Sequence, residues 1–264
     1  MTALCAWPRF GIISDYDGTL SPFKKDITAA RLTPASEAAL DRLAKWVTIM
    51  ALVSGRSAAD LRGRYIRPWA LYYGNHGMEV WENGGVRVAD AAQPWVEPLR
   101  DLLAKFAPTA EQFPGVIVED KTITASVHYR ASEDPAAVGP LLYAHLAPLC
   151  EAYGFRLSAG QFIWEIKPPV DLNKGTAAQE IVAAYKLDSA LFLGDDVTDL
   201  SAMQRLRELR RDQPGFHALT VGVMHETSPT DLSLYADCFA DGVDDTSELL
   251  GWLSMNQPAP RPSS

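Results

Sequence analysis

The stretch that most constrains this chain is Asp15-Tyr16-Asp17-Gly18-Thr19-Leu20, directly behind the apolar run Phe10-Gly11-Ile12-Ile13. A short apolar run closed by a glycine-containing polar turn reads as a buried strand ending in a loop. Asp15 and Asp17 thereby fall at the carboxyl end of a strand, where open α/β sheets bind their ligands. In such a pair one carboxylate can attack a phosphoryl group and form an aspartyl-phosphate. The other can protonate the leaving oxygen and later activate water. Gly18 lets the backbone turn and approach a phosphate closely. An isolated D-x-D-G is more often a solvated turn, so the remaining loops decide the matter.

Strands and helices alternate on either side of an interruption. Residues 33–45 read as a helix, with Thr33 as N-cap, Pro34 in the first turn and Leu40 and Leu43 on an apolar stripe. A β-rich run over 46–53 ends in Ser54-Gly55-Arg56-Ser57, and a helix over 58–64 and a strand over 69–73 follow. This rhythm predicts βαβ units and a parallel sheet. Glu82-Asn83-Gly84-Gly85 reads as a hairpin turn. From about residue 91 the pattern becomes helix, strand, strand, twice over: 95–106, 115–119 and 122–129, then 135–153, 155–158 and 161–166. Adjacent strands with short turns predict an inserted antiparallel α+β domain, whose exit is the stiff segment Lys167-Pro168-Pro169-Val170. The first rhythm then resumes with a helix opened by Lys174-Gly175 and a strand ending in Asp195-Asp196-Val197-Thr198-Asp199. Strands near 218–223 and 239 and a helix over 246–253 complete it. The expected fold is α/β, a Rossmann-like parallel-sheet core over 1–90 and 169–264 with an inserted α+β domain over 91–168. The tail over 257–264 is expected to be disordered.

A net charge of −9 argues against a broad nucleic-acid or anionic-membrane footprint. A small-molecule partner suits such a chain, and a divalent cation suits its acidic loops. Cys5, Cys150 and Cys238 are too scattered for a disulfide framework or a thiolate metal site. No uncharged apolar stretch reaches the roughly 20 residues of a membrane span, and no leader pattern precedes the Asp pair. A cytoplasmic monomer is the expectation.

Four loops converge on one sheet edge if this topology holds: Asp15/Asp17, Ser54, Lys174 and Asp195/Asp196/Asp199. Ser54 can donate to a phosphoryl oxygen, although a serine there can equally cap the next helix. Lys174 opens a helix, where the dipole opposes a cation; a solvated surface lysine gives the same pattern, and a functional one is expected to neutralise the nucleophile and the phosphoryl charge. The three aspartates suit a helix start, yet beside another Asp pair they repel one another unless a cation joins them. Mg²⁺ fits hard oxygen donors. Its expected ligands are Asp15, Asp195 and the Asp17 backbone carbonyl, with Asp196 and Asp199 standing behind them.

These motifs, in this order, resemble those of the haloacid dehalogenase-like phosphatases, and the insert resembles that superfamily's larger cap domain. In detail the chain is similar to the trehalose-6-phosphate phosphatases, through Asp15-Tyr16-Asp17-Gly18-Thr19-Leu20-Ser21-Pro22, Ser54-Gly55-Arg56, His76-Gly77-Met78-Glu79, Glu119-Asp120-Lys121 and Gly194-Asp195-Asp196-Val197-Thr198-Asp199. The resemblance implies Mg²⁺-dependent hydrolysis of a phosphorylated disaccharide through an aspartyl-phosphate. Two positions depart from the family's habit: Leu200 stands where an acidic residue is usual, and Gln161 where a basic one is frequent.

A disaccharide phosphate is mostly hydroxyls, so carboxylates and amines of the cap are its expected readers. Glu119/Lys121, His128/Arg130 and Glu165/Lys167 each lie two residues apart, which puts each pair on one strand face. A solvated face gives the same spacing. The resemblance favours Glu119, Lys121 and Glu165 for hydroxyls, while Arg56 and Arg130 are candidates for the phosphate instead. Of Trp81, Trp95 and Trp164, at least two are expected in the core rather than against a sugar ring. Sucrose, mannosylglycerate or glucosylglycerol phosphate as substrate, and a non-catalytic sugar-phosphate-binding module, stay open as alternatives.

Overall fold

Strands whose apolar residues face both ways need cover on both faces, and the main sheet has it. The computed structural model describes residues 8–23, 29–226 and 228–256. Cys5 and the tail lie outside them. The chain divides into two units, one formed by residues 1–87 and 172–264 and the other by residues 88–171. The sequence puts these junctions at 90/91 and 168/169.

In the first unit, β1 (Phe10–Ser14), β2 (Ile49–Val53), β3 (Ala70–Gly74), β4 (Glu79–Glu82), β5 (Gly85–Val88), β10 (Ser189–Gly194), β11 (His217–Met224) and β12 (Cys238–Asp241) form one sheet. Its order is β12-β11-β10-β1-β2-β3-β4-β5. All pairs from β12 to β3 are parallel, and β4 returns antiparallel to β3. The chain's progression across the sheet reverses between β1 and β10. Such a switch point opens a crevice at the strands' carboxyl ends.

Alternation along the strands divides the core. Phe10, Ile12, Met50, Leu52, Leu191 and Leu193 pack on one face with Leu40 and Leu43 of α1 (Pro34–Leu43) and Leu250 and Leu253 of α8 (Gly242–Met255). Ile13, Ala51, Val53 and Phe192 pack on the other, with Ile181 of α5 (Lys174–Ala184) and Met203 and Leu206 of α6 (Leu200–Asp212). Each such large side chain contributes about 1.5–3 kcal/mol on burial. Gly175 permits the close meeting of α5 and α6, since a Cβ there would strike the Ser201 carbonyl. Short helices α2 (Ala58–Arg64) and α7 (Leu232–Tyr235) complete the unit.

Thr33 caps α1 by accepting from the Ser36 amide, with Pro34 behind it. The expected strand over 46–53 begins only at Ile49. The amides of Trp46 and Val47 both bond the Leu43 carbonyl, so these β-favouring residues serve the turn out of α1. Local propensity yields there to the helix end. Asn83 and Gly84 turn the β4–β5 hairpin with φ of 50° and 84°, as an Asn-Gly turn should.

The second unit packs α3 (Val96–Ala110) and α4 (Pro135–Tyr153) on a sheet ordered β6-β7-β9-β8. Its strands are β6 (Ile117–Asp120), β7 (Ala125–His128), β8 (Arg156–Gly160) and β9 (Ile163–Lys167), all paired antiparallel. The helix-strand-strand repeat closes through the central β7–β9 pair. Ala125, Val127 and Ile166 face Leu99, Leu102, Phe106, Leu142 and Leu146 of the helices. Period-two alternation sends Glu119, Ser126, His128, Glu165 and Lys167 to the opposite face. Among the described residues, no helix is long and apolar enough to cross a membrane.

Candidate active site

Asp15 leaves β1 buried, its amide bonded to the Leu193 carbonyl of β10 at 2.9 Å, so the first motif is fixed across the switch point. Lys174 is the first residue of α5, behind an Asn173 cap that accepts from the amides of Gly175 and Thr176. Only 2% of Lys174 is exposed. Its Nζ lies 2.8 Å from Asp15 Oδ1 and 2.8 Å from Asp199 Oδ1, with Asp196 at 3.9 Å. A lysine against the helix dipole is thus held by carboxylates.

The acidic loop is folded around Asp199. Its Oδ2 accepts from the amides of Asp195 and Asp196, both at 3.1 Å, so both its oxygens have partners. Asp196 Oδ1 accepts from the amide and the hydroxyl of Thr198 at 2.8 and 2.6 Å. The Thr19 hydroxyl donates to Asp195 Oδ1 at 3.0 Å and joins the first motif to the last. Gly18, at φ +80°, has no alternative: a Cβ there would collide with the Asp195 carboxylate.

Burial, and then the charges of Asp195 and Asp196, hold the Asp15 carboxyl well above its usual range although Lys174 pulls the other way. Burial likewise raises Asp199 well above its ordinary value, aided by Asp15 and Asp196 and opposed by Lys174. Burial, Asp199 and Asp196 push Asp195 up to about 7. Burial would lower Lys174, but Asp15, Asp199 and Asp196 outweigh it and hold the ammonium charged. Asp196 is also buried in part, yet Lys174 and Thr198 bring its carboxyl below the usual range. One ammonium among four carboxylates leaves a deficit of positive charge.

Carboxylate oxygens of Asp15, Asp195 and Asp199 lie within 4.8 Å of one another, all buried. Asp15 and Asp195 each have one oxygen engaged by Lys174 or Thr19 and a second with none of those bonds. Asp199 is occupied on both sides. The donor set therefore fits a hard divalent cation held by Asp15 and Asp195, with Asp199 supporting the loop.

Ser54 is buried at the end of β2, and its Oγ accepts from the Arg56 amide at 3.2 Å. The cap of α2 is Ser57, not Ser54. The Ser54 carbonyl and the Arg56 carbonyl receive the amides of His76 and Asn75, which both adopt left-handed backbone. Arg56, expected at the phosphate, forms a two-pronged pair with Asp17, Nε to Oδ2 at 2.6 Å and Nη2 to Oδ1 at 2.8 Å. Its Nη1 reaches Asp60 at 3.1 Å. His225, just beyond β11, lies with Nε2 at 2.6 Å from the Gly18 carbonyl. Sequence reasoning passed over His225 and Asp60, and quoted Thr19 in its motif without giving it a role. The strand-end rule that found Asp15 would have flagged His225, since it too follows a parallel strand.

Within the second unit, Glu119 is 3.1 Å from His128 Nε2 and 3.7 Å from Lys121, and Glu165 is 2.6 Å from Lys167. Glu119 and Glu165 both register against Ser126, so they share one row across the sheet. Arg130 donates to the carbonyl and side-chain oxygens of Gln161, both at 3.1 Å, and lies over the Phe162 ring. The departure at Gln161 therefore meets an arginine from the neighbouring loop. Trp81, Trp95 and Trp164 all pack against core clusters. Leu200, where the resemblance would have an acid, opens α6 and packs on the core.

Sheet order and the crevice at the switch point together define a doubly wound α/β fold, one that solved haloacid dehalogenase-like hydrolases share. A haloacid dehalogenase-like hydrolase from Bacteroides thetaiotaomicron superposes with a TM-score of 0.65 at 14% identity, over 93% of this chain and 99% of that one. The C-terminal domain of Candida albicans trehalose-6-phosphate phosphatase superposes with a TM-score of 0.75 at 22% identity, over 94% and 93%.

Residues 13–238 match the trehalose-phosphatase family, and the chain belongs to it. The trehalose-phosphate phosphatase of Mycobacterium tuberculosis (strain ATCC 25618 / H37Rv) is 32% identical over 221 residues, 81% of this chain and 54% of that protein. The chain thus spans about half the length of the curated relatives it matches.

Proposed function

We propose that this chain hydrolyses trehalose 6-phosphate to trehalose and phosphate through an aspartyl-phosphate on Asp15. The observation that carries this is the buried Asp15–Lys174–Asp199 arrangement, at 2.8 Å on each side, directly behind β1. A nucleophilic carboxylate needs a fixed cation to approach an anionic phosphoryl group, and Lys174 supplies one. An Asp15 oxygen attacks phosphorus, and the bond from phosphorus to the sugar oxygen breaks. That oxygen takes the departing electron pair and the proton of Asp17. Water then attacks phosphorus, gives a proton to Asp17 and releases phosphate and the Asp15 carboxylate. Ser54 and Lys174 stabilise the equatorial oxygens.

Mg²⁺ would be held by Asp15, Asp195 and the Asp17 carbonyl, and would supply further neutralisation of the phosphoryl oxygens. The crowding of these buried carboxyls, which holds Asp15, Asp195 and Asp199 above their ordinary range when no cation joins them, supports this assignment. Asp196 and Asp199 set the loop. For the second unit we assign Glu119, Lys121 and Glu165 to sugar hydroxyls, and Arg130, with its Gln161 partner, to substrate contact.

Phosphate release should be followed with trehalose 6-phosphate, sucrose 6-phosphate, glucose 6-phosphate and glucosylglycerol phosphate, with Mg²⁺ and with EDTA. A Mg²⁺-dependent preference for trehalose 6-phosphate is expected. Preference for another sugar phosphate would overturn the substrate, and no turnover of any would overturn the enzyme.

A further inference from the structure

Asp17 must give a proton to an alkoxide and later take one from water, so the direction of its carboxyl matters as much as its presence. Its neighbours fix that direction. Arg56 grips both oxygens at 2.6 and 2.8 Å, a planar fork that sets the carboxyl plane in a way a lysine could not. The fork is itself anchored. Asp60, one helical turn along, takes Arg56 Nη1 at 3.1 Å. Arg64, a further turn along α2, grips Asp60 at 2.7 and 2.9 Å. The Arg56 backbone is tied too, with its amide on Ser54 Oγ and its carbonyl on the Asn75 amide. Arg56 also lies 5.9 Å over the Tyr16 ring, a buried residue between the two aspartates. The Arg56 side chain is 12% exposed and that of Asp17 32%, so the carboxyl keeps an open edge while its holder is enclosed. An ionised carboxylate has about four lone-pair positions and a two-pronged grip uses two of them, so another can carry the proton that Asp17 passes on.

We infer that Arg56, braced by Asp60 and Arg64, is the positioning residue that aims the Asp17 carboxyl at the leaving-group oxygen. The inference rests on the proposed acid and base role of Asp17. It assigns Arg56 to the acid rather than to the substrate phosphate.

Leaving groups separate these roles. A sugar alkoxide needs Asp17's proton as the bond to phosphorus breaks, whereas 4-nitrophenolate departs without one. The value of kcat/KM covers the steps up to that departure. Arg56→Lys should lower kcat/KM for trehalose 6-phosphate, or for whichever alkyl phosphate the wild type hydrolyses, by about 10²-fold. For 4-nitrophenyl phosphate it should change less than about threefold. Asp60→Asn, which loosens the brace and leaves Arg56 and Asp17 in place, should show the same selectivity at roughly a tenth of the size. In an Asp17→Asn background, Arg56→Lys should add nothing.

Equal losses on both substrates, or a rise in KM alone, would overturn the inference in favour of a phosphate contact. An additive effect in the Asp17→Asn background would overturn it as well. If Arg56→Lys fails to fold, Asp60→Asn decides by the same criterion. A wild type that turns over only other alkyl phosphates removes trehalose 6-phosphate as substrate and leaves this test running. A wild type that hydrolyses no phosphate ester ends both.

Discussion

Two lysine–carboxylate pairs in this molecule look alike by distance and differ in everything else. Lys174 meets Asp15 at 2.8 Å in the core unit, and Lys167 meets Glu165 at 2.6 Å on the sheet of the second unit. The shorter pair is the weaker one. Lys167 and Glu165 keep about a quarter of their surface in water, whereas Lys174 and Asp15 have almost none. Water solvates the first pair whether or not it forms. The second has no such substitute, so each of its charges depends on the others. What buries charge at the switch point is the sheet and α5, through the same apolar alternation that builds the core. The half-buried polar face of the second unit's sheet can exchange its lysine for a ligand hydroxyl at little cost, which suits recognition. The buried set cannot rearrange, which suits chemistry.

Breaking the buried set should have the largest effect. Asp15→Asn should lower phosphate release by at least about 10³-fold with the circular dichroism spectrum unchanged. An active Asp15→Asn protein would place the chemistry elsewhere. Next comes the pair of lysines. Lys174→Met leaves carboxylates buried without their cation and should cost about 3–5 kcal/mol by urea unfolding. Lys167→Met should cost about 0–1 kcal/mol. Equal costs would contradict the contrast drawn from burial.

pH sharpens the same contrast. Asp195 in the folded, metal-free protein is pushed up to about 7, above its ordinary value of 3.8. The folded state therefore holds a proton that the unfolded chain has lost, and stability falls as pH rises across that window. Thermal unfolding in EDTA should show Tm dropping from pH 5 to 8, and Mg²⁺ should raise Tm more at pH 8 than at pH 5. A flat profile in EDTA would argue against the crowded carboxylates. The smallest expected effect lies on the polar sheet face of the second unit. Glu165→Gln should raise KM for the sugar phosphate about tenfold and leave 4-nitrophenyl phosphate unaffected, as loss of one charged hydrogen bond would. Equal changes on both substrates would remove Glu165 from sugar recognition.

Much of this was legible in the chain because it is local. Thr33-Pro34 wrote a helix start, Asn83-Gly84 a hairpin, and apolar runs ending in Asp15 and Asp195 wrote strand ends. Pairings over long separations were not legible. Arg56 and Asp17 are 39 residues apart, and His225 and Gly18 207 apart. Nothing in composition or period brings those together; only the strand order β11-β10-β1-β2 does. Trp46 and Val47 show the converse, since their β propensity was overruled by the last turn of α1.

If Asp15 is the nucleophile, the phosphoryl group can be caught on it. Trehalose 6-phosphate labelled in the phosphoryl group, mixed with excess enzyme and Mg²⁺ and quenched in acid within one turnover, should leave label on the protein. That label should be stable to acid, labile to hydroxylamine, confined to the peptide containing Asp15, and absent from Asp15→Asn. Complete turnover with no labelled protein at any quench time, or label on another residue, would contradict Asp15 as the nucleophile.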